Sequence, residues 1–263
     1  MFSSPDLLAS RLIFVGLVIE AIEMLALRGA FADGGVFSRS NIGILTAGTR
    51  WQMRIGATFG GPGLIGAAMG VQLAAAIVAL VQGLGTPSGI AAALVCLATC
   101  GYLRSRRQIG GSGAEQLTFI VLVTFGLVML AGGTPAARRI GDVFVAALLL
   151  LAYFASGASK AVAPIWRGGA LAGVFSTECY GLVGLGRLLA RHPWMDRLLC
   201  WSLIVWECLF PLVLIAPKPV IVASFAIGVV FHVSCAFVMG LNRFFWAFCG
   251  CYPSVWVTAM LLR

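Results

Sequence analysis

Val220-Ile-Val-Ala-Ser-Phe-Ala-Ile-Gly-Val-Val-Phe-His232-Val-Ser-Cys-Ala-Phe-Val-Met239 is the stretch that decides the fold. It holds no Asp, Glu, Lys or Arg, and about twenty residues of helix cross the roughly 30 Å of hydrocarbon in a bilayer. Backbone groups in hydrocarbon must satisfy one another, which favours helix over open sheet. The polar–apolar alternation of an outer-membrane barrel is weak here. Working outward, blocks of the same character lie at 12–30, 63–81, 90–103, 117–131, 143–156, 201–216 and 244–262. The expected fold is therefore all-α, a polytopic transmembrane helical bundle of seven or eight spans. Gly83 to Ser88 is a Gly/Pro turn suited to a tight hairpin between two of them. The stretch 159–199 is of mixed character, with Lys160, Trp166, Arg167, Glu178 and Arg187. It is expected as a re-entrant or half-spanning element, because irregular backbone at depth is tolerated where protein or a water cavity surrounds it. With no internal repeat and no appended soluble segment, residues 1–263 read as a single transmembrane domain.

Composition agrees. The 263 residues are 60% hydrophobic and 10% charged, with a mean hydropathy of +1.01, against roughly 45–50% and 25% in soluble domains. No water-soluble fold hides that much apolar surface. Residues 1–9 lack a basic stretch, and the apolar run after them contains Glu20 and Glu23, which the core of a cleavable signal avoids. The first span is expected to be retained. The net charge of +9 is scattered over loops rather than gathered on one soluble face. Positive-inside bias and contact with anionic membrane lipid account for it, and nucleic acid is not an expected partner. Arg104, Arg106 and Arg107 place their loop in the cytoplasm, Arg50 and Arg54 fall on the same side, and Arg138 and Arg139 fall on the other, against the rule. The expected location is the inner (plasma) membrane of the cell. The eight cysteines lie mostly within apolar runs and read as small buried hydrophobes. Cys249 and Cys251 are too close for an ordinary disulfide or zinc clip.

Ionisable residues inside the spans are the candidates for a site. Glu20 and Glu23 share one face of the first helix. An unpaired acid at mid-membrane costs about 2.5–3.5 kcal/mol on insertion scales, so both should face protein. They read either as a proton or substrate contact or as a structural pair with a neighbouring cation. Lys160 closes the block 143–156; in an apolar pocket a lysine becomes a general base, whereas at a helix end it snorkels to the headgroups. Glu207 lies within Trp206-Glu207-Cys208-Leu209-Phe210-Pro211. Pro211 frees the carbonyl four residues back, that of Glu207, and the resulting kink is a place for a pocket. His232, mid-span, suits a proton relay or a carbonyl partner, or is simply satisfied by a neighbour. Two histidines with no H-x-x-x-H or H-x-x-E spacing argue against a metal site.

Taken together, several of these pieces resemble a known family. Tyr153-Phe-Ala-Ser-Gly-Ala-Ser-Lys160 followed by Pro164-Ile-Trp166-Arg-Gly-Gly-Ala170 resembles the Gly-x-x-Lys … Trp-x-x-Gly signature of the HTTM (horizontally transferred transmembrane) domain superfamily. That superfamily is related to the membrane domain of vitamin K-dependent γ-glutamyl carboxylase. Glu207 to Pro211, Phe231-His232, Met239-Gly-Leu-Asn242 and Trp246 through Pro253 follow in the family's order, and Gly101-Tyr102 with Gly110 to Gln116 is similar to a loop of small bacterial members. The resemblance covers 101–256. It implies that Lys160 matches the base that starts vitamin K hydroquinone oxygenation, that Trp166 and Gly169 shape the turn after it, and that His232 matches a late-helix histidine. The carboxylase continues into a large lumenal region that has no counterpart after 244–262, so glutamate carboxylation is not expected.

Two functions follow as expectations. The first is a membrane-embedded redox enzyme acting on a quinone-like or other lipid-soluble substrate, a reduced quinone serving as its cofactor. Lys160 is then the base, His232 the proton partner, and Glu207 holds charge beside them, with Trp166, Trp206, Glu20 and Glu23 against the substrate. The alternative is a non-catalytic membrane accessory for maturation of, or immunity to, a secreted peptide, as for the small family member that matures a sporulation-delaying toxin in bacilli; its partner is that peptide or another membrane protein. A transporter is disfavoured by the lack of an inverted repeat.

Overall fold

The computed structural model describes residues 4–32, 34–38, 61–106, 112–177 and 181–263. Among these residues eleven α-helices run in order: α1 (Ser4–Ala26), α2 (Pro62–Gln82), α3 (Pro87–Arg106), α4 (Gly113–Leu130), α5 (Pro135–Val162), α6 (Pro164–Gly168), α7 (Leu171–Phe175), α8 (Val183–Arg191), α9 (Pro193–Leu209), α10 (Lys218–Met239) and α11 (Asn242–Leu261). There is no strand among the described residues. Among the described residues seven helices are long and apolar enough to cross a membrane: α2, α3, α4, α5, α9 with its 3₁₀ extension to Leu214, α10 and α11. The protein is a multi-pass, all-helical membrane protein. The 23 residues of α1 are long enough to span as well, but Asp6, Arg11, Glu20 and Glu23 set it apart in composition.

Helix starts depart from the apolar blocks for a consistent reason. α1 begins at Ser4 rather than near residue 12 and gives way at Arg28–Phe31 to a 3₁₀ turn. α5 covers 28 residues where 143–156 was expected, and α9 starts at Pro193 rather than near 201. Pro135 and Pro193 each occupy a first helical turn, where the missing N–H is no loss, and a polar first turn belongs to the helix although it is not apolar. Thr134 adds a cap, its hydroxyl accepting from the Ala137 amide at 3.2 Å. The mixed stretch becomes the short helices α6, α7 and α8, of 5, 5 and 9 residues, none able to cross alone. Glu178, like Arg50, Arg54 and Arg107, lies outside the described residues.

The chain divides into two compact units, Met1–Ala137 and Arg138–Arg263. In the first, α2 packs against both α1 and α3, and α3 against α4. Its faces are lined by small residues: Ala75, Ala76 and Ala79 of α2 are buried, and Met24, Phe31, Ile65, Met69 and Leu103 fill the core. Without a hydrophobic force between helices in lipid, close approach of small side chains is what holds them. The α2–α3 hairpin is built as the Gly/Pro turn predicts: Gly83 takes φ +69°, and the Thr86 hydroxyl accepts from the Gly89 amide at 3.1 Å. In the second unit, α9 packs against α6, α7 and α8, and α10 against α11. Its core is aromatic, with Tyr153, Phe210 and Tyr252 all buried.

Candidate functional site

One face of α5 carries Leu149, Tyr153, Ser156, Gly157 and Lys160, at spacings of three and four that stack side chains above one another. Gly157 sets how closely α9 approaches. A Cβ there would lie 2.8 Å from the Cys208 amide nitrogen and 2.8 Å from Cβ of Glu207, so only hydrogen fits. That contact brings Glu207 within reach of the lysine one turn on.

Lys160 Nζ donates to Glu207 Oε2 at 2.6 Å, to Glu207 Oε1 at 2.8 Å and to Ser156 Oγ at 2.6 Å. The ammonium's three protons thus match three acceptors. Ser156 in turn donates to Glu207 Oε1 at 3.4 Å. The Lys160 side chain is 14% exposed and that of Glu207 3%, so the lysine turns inward although it stands in the last turn of its helix. The Trp166 ring lies 5.4 Å from Nζ, within cation–π range. Sequence candidates Lys160, Glu207 and Trp166 therefore meet.

His232 belongs to a neighbouring cluster. Its Nε2 is 2.7 Å from Tyr153 Oη, which is 2.8 Å from Tyr252 Oη. Tyr153 and His232 are each 2% exposed. Around them pack Trp206, Phe210 and Phe248, at 4.9, 4.4 and 5.4 Å from the Tyr153 ring. Phe225 stacks on Tyr252 at 4.6 Å. Two phenols and one neutral imidazole can point their hydrogens in either direction along this chain, and reversing it carries a proton's worth of polarity from one end to the other without net charge. His232 Nδ1 and Trp206 Nε1 are buried and have no hydrogen-bond partner among the described residues. No hydrogen bond joins Lys160 to His232. The two clusters are instead bridged by neighbours in sequence, Trp206 packing on Tyr153 while Glu207 binds Lys160.

The break at Pro211 follows the sequence expectation: α9 ends at Leu209 and continues as a 3₁₀ turn, Phe210–Leu214. A groove of about 660 Å³ opens there between α9, the turn and α10, lined by Trp201, Val205, Trp206, Phe210, Val220 and Ser224 among others. Leu209, Leu212 and Val220 on its rim are about half exposed, so it faces outward. Lys160 and His232 do not line it.

Glu20 and Glu23 sit half-buried on α1 in the first unit, and neither is without a partner. Glu20, Arg104 and Glu115 lie near Cys100. Sequence reasoning did not single out Ser156, Tyr252 or Asp196. A hydroxyl inside an apolar window leaves no mark on periodicity, and Asp196, in the first turn of α9, reads as an ordinary helix-dipole acid. It is 4% exposed and accepts from the amides of Leu171 at 3.0 Å and Ala172 at 3.1 Å. Among the described residues no group of three or more His, Cys, Asp and Glu is placed to hold a metal ion. Comparison with protein-family models, with curated proteins and with solved structures finds no match to this chain.

Proposed function

We propose that this chain is a small member of the HTTM superfamily, seated in the plasma membrane, whose second unit performs base chemistry on a quinone-like, lipid-soluble substrate. The observation that carries the reading is the buried Lys160–Glu207 pair with Ser156, on the face of α5 that continues to Tyr153, the hydrogen-bond partner of His232 on α10. When the proton sits on Glu207, the free amine of Lys160 accepts a proton from an acidic substrate hydroxyl and becomes ammonium again. His232, through Tyr153 and Tyr252, is the second proton carrier. Trp166 and Trp206 give flat apolar surfaces for a ring.

The test is retention of lipid and quinone species by the purified chain. Wild type is expected to carry them and Lys160→Ala to lose them at matched folding yield; equal retention removes Lys160 from the site. Lys160→Arg keeps the cation but cannot serve as a base, so it is expected to bind and not turn over.

The outward groove at the Pro211 break favours a second reading, a non-catalytic partner that receives an apolar peptide. A photo-crosslinker at Leu212 that captures such a peptide in wild type and in Lys160→Ala alike would support it over the first.

A further inference from the structure

The segment between α5 and α7 touches α9 in a way that neither function requires by itself. Asp196 reaches out of α9 and takes the first two amides of α7. One turn on, the Cys200 sulfur accepts from the Ala170 amide at 3.4 Å, and its thiol lies 3.5 Å from Asp196 Oδ1. Arg197 Nε donates to the Gly168 carbonyl at 3.2 Å. Gly169 takes φ +108°, which favours glycine, and a Cβ on it would lie 3.1 Å from the Asp196 carboxylate. Gly168, Ala170, Leu171 and Ala172 are thus each hydrogen-bonded to one turn of α9, and Asp196 and Cys200 are the buried members of the set.

Trp166 stands in this connector two residues before the clamp, and its ring lies over the Lys160 ammonium. α6, only five residues long, has no buried residue of its own. Its first turn is joined to α5 through Ala163, whose amide donates to the Ser159 carbonyl at 3.2 Å and whose carbonyl accepts the Trp166 amide at 3.1 Å.

We infer that Asp196 is a positioning residue: by holding the 168–172 backbone on α9 it keeps Trp166 as the roof over Lys160. The inference rests on Lys160 being the functional amine of the site. It does not depend on which substrate that amine serves. Asp196 touches no reacting group and acts only through the strap.

The chain contains two lysines, Lys160 and Lys218, and Lys218 is exposed at the start of α10. Acetylation of the full-length protein in nanodiscs by a water-soluble N-hydroxysuccinimide ester, read by mass spectrometry as the Lys160/Lys218 ratio, therefore reports the roof with an internal control. Asp196→Ala is expected to raise the ratio about tenfold, the size of effect that loss of a helix cap allows. Trp166→Ala is expected to raise it similarly, and the double variant no further. Asp196→Asn, which keeps one acceptor oxygen, should fall between. General loosening of the fold would raise labelling at both lysines and leave the ratio near wild type, which overturns the inference, as does additivity of the two alanine variants. If Asp196→Ala does not fold, Gly169→Ala presses on the same carboxylate, and an unchanged ratio there overturns it too. A raised ratio in a protein whose wild type retains no quinone leaves the strap standing and removes the quinone reading.

Discussion

Helices in the two units are brought together by opposite means. In the first, Ala75, Ala76 and Ala79 let α2 lie close to its neighbours, and glycines such as Gly66 and Gly70 have open space where a side chain would go. In the second, α5 and α9 touch at Gly157, where no Cβ fits, and α10 meets Tyr252 at Gly228, where a Cβ would fall 1.9 Å from the phenol oxygen. Small residues in the first unit make room for packing in general, whereas in the second they make room for particular polar atoms. Buried polar groups in lipid are expensive unless paired. Placing two such clusters within two turns of α5 is a commitment that packing alone does not call for.

That contrast can be broken most severely at the ion pair. Glu207→Ala leaves the Lys160 ammonium buried without its carboxylate and should lower stability by about 3–5 kcal/mol, read as a large fall in melting temperature in detergent. The double variant Lys160→Met/Glu207→Leu should recover most of it. If Glu207→Ala melts like wild type, the pair is not what ties α5 to α9.

Next in size, Gly157→Ala should cost about 1–3 kcal/mol because its methyl meets backbone rather than a flexible tip, and it should expose Lys160 to amine reagents. Tyr153→Phe should cost about 1–3 kcal/mol, since it strands both His232 Nε2 and the Tyr252 hydroxyl. Tyr252→Phe removes only the end of the chain and should cost about 1 kcal/mol. Equal melting shifts for the two phenylalanine variants would mean that His232 does not depend on Tyr153. Smallest of all, Gly70→Ala in α2 meets nothing within 4 Å and should stabilise by about 0.5–1 kcal/mol through helix propensity alone. A loss there comparable to Gly157→Ala would erase the distinction between the units.

Long apolar windows were legible because hydrocarbon imposes a length and a composition, and each of the seven spanning helices overlaps one of the blocks read from sequence. Helix starts at Ser4, Pro135 and Pro193 were not, since their first turns carry polar residues and fall outside the apolar windows. Lys160, Glu207 and Trp166 were visible as charges or signature residues out of place, and the structure brings them together. Tyr252 and Ser156 were hidden because a hydroxyl in an apolar helix is common, and its meaning depends on a partner 99 residues away for Tyr252 or on a neighbouring helix for Ser156. Glu20 and Glu23 were equally conspicuous in sequence, and they lie on α1 of the first unit.

The length of α5 adds a vertical scale to this site. Between Arg138 and Lys160 the helix rises roughly 33 Å, close to the thickness of the hydrocarbon layer. With the arginine end at one surface, the lysine reaches the opposite surface, and Tyr153 lies roughly 10 Å beneath it. The ion pair is then shallow and the tyrosine–histidine cluster deep. A molecule that engages both would stand upright along α5, its polar end at the waterline and its body sunk among the rings.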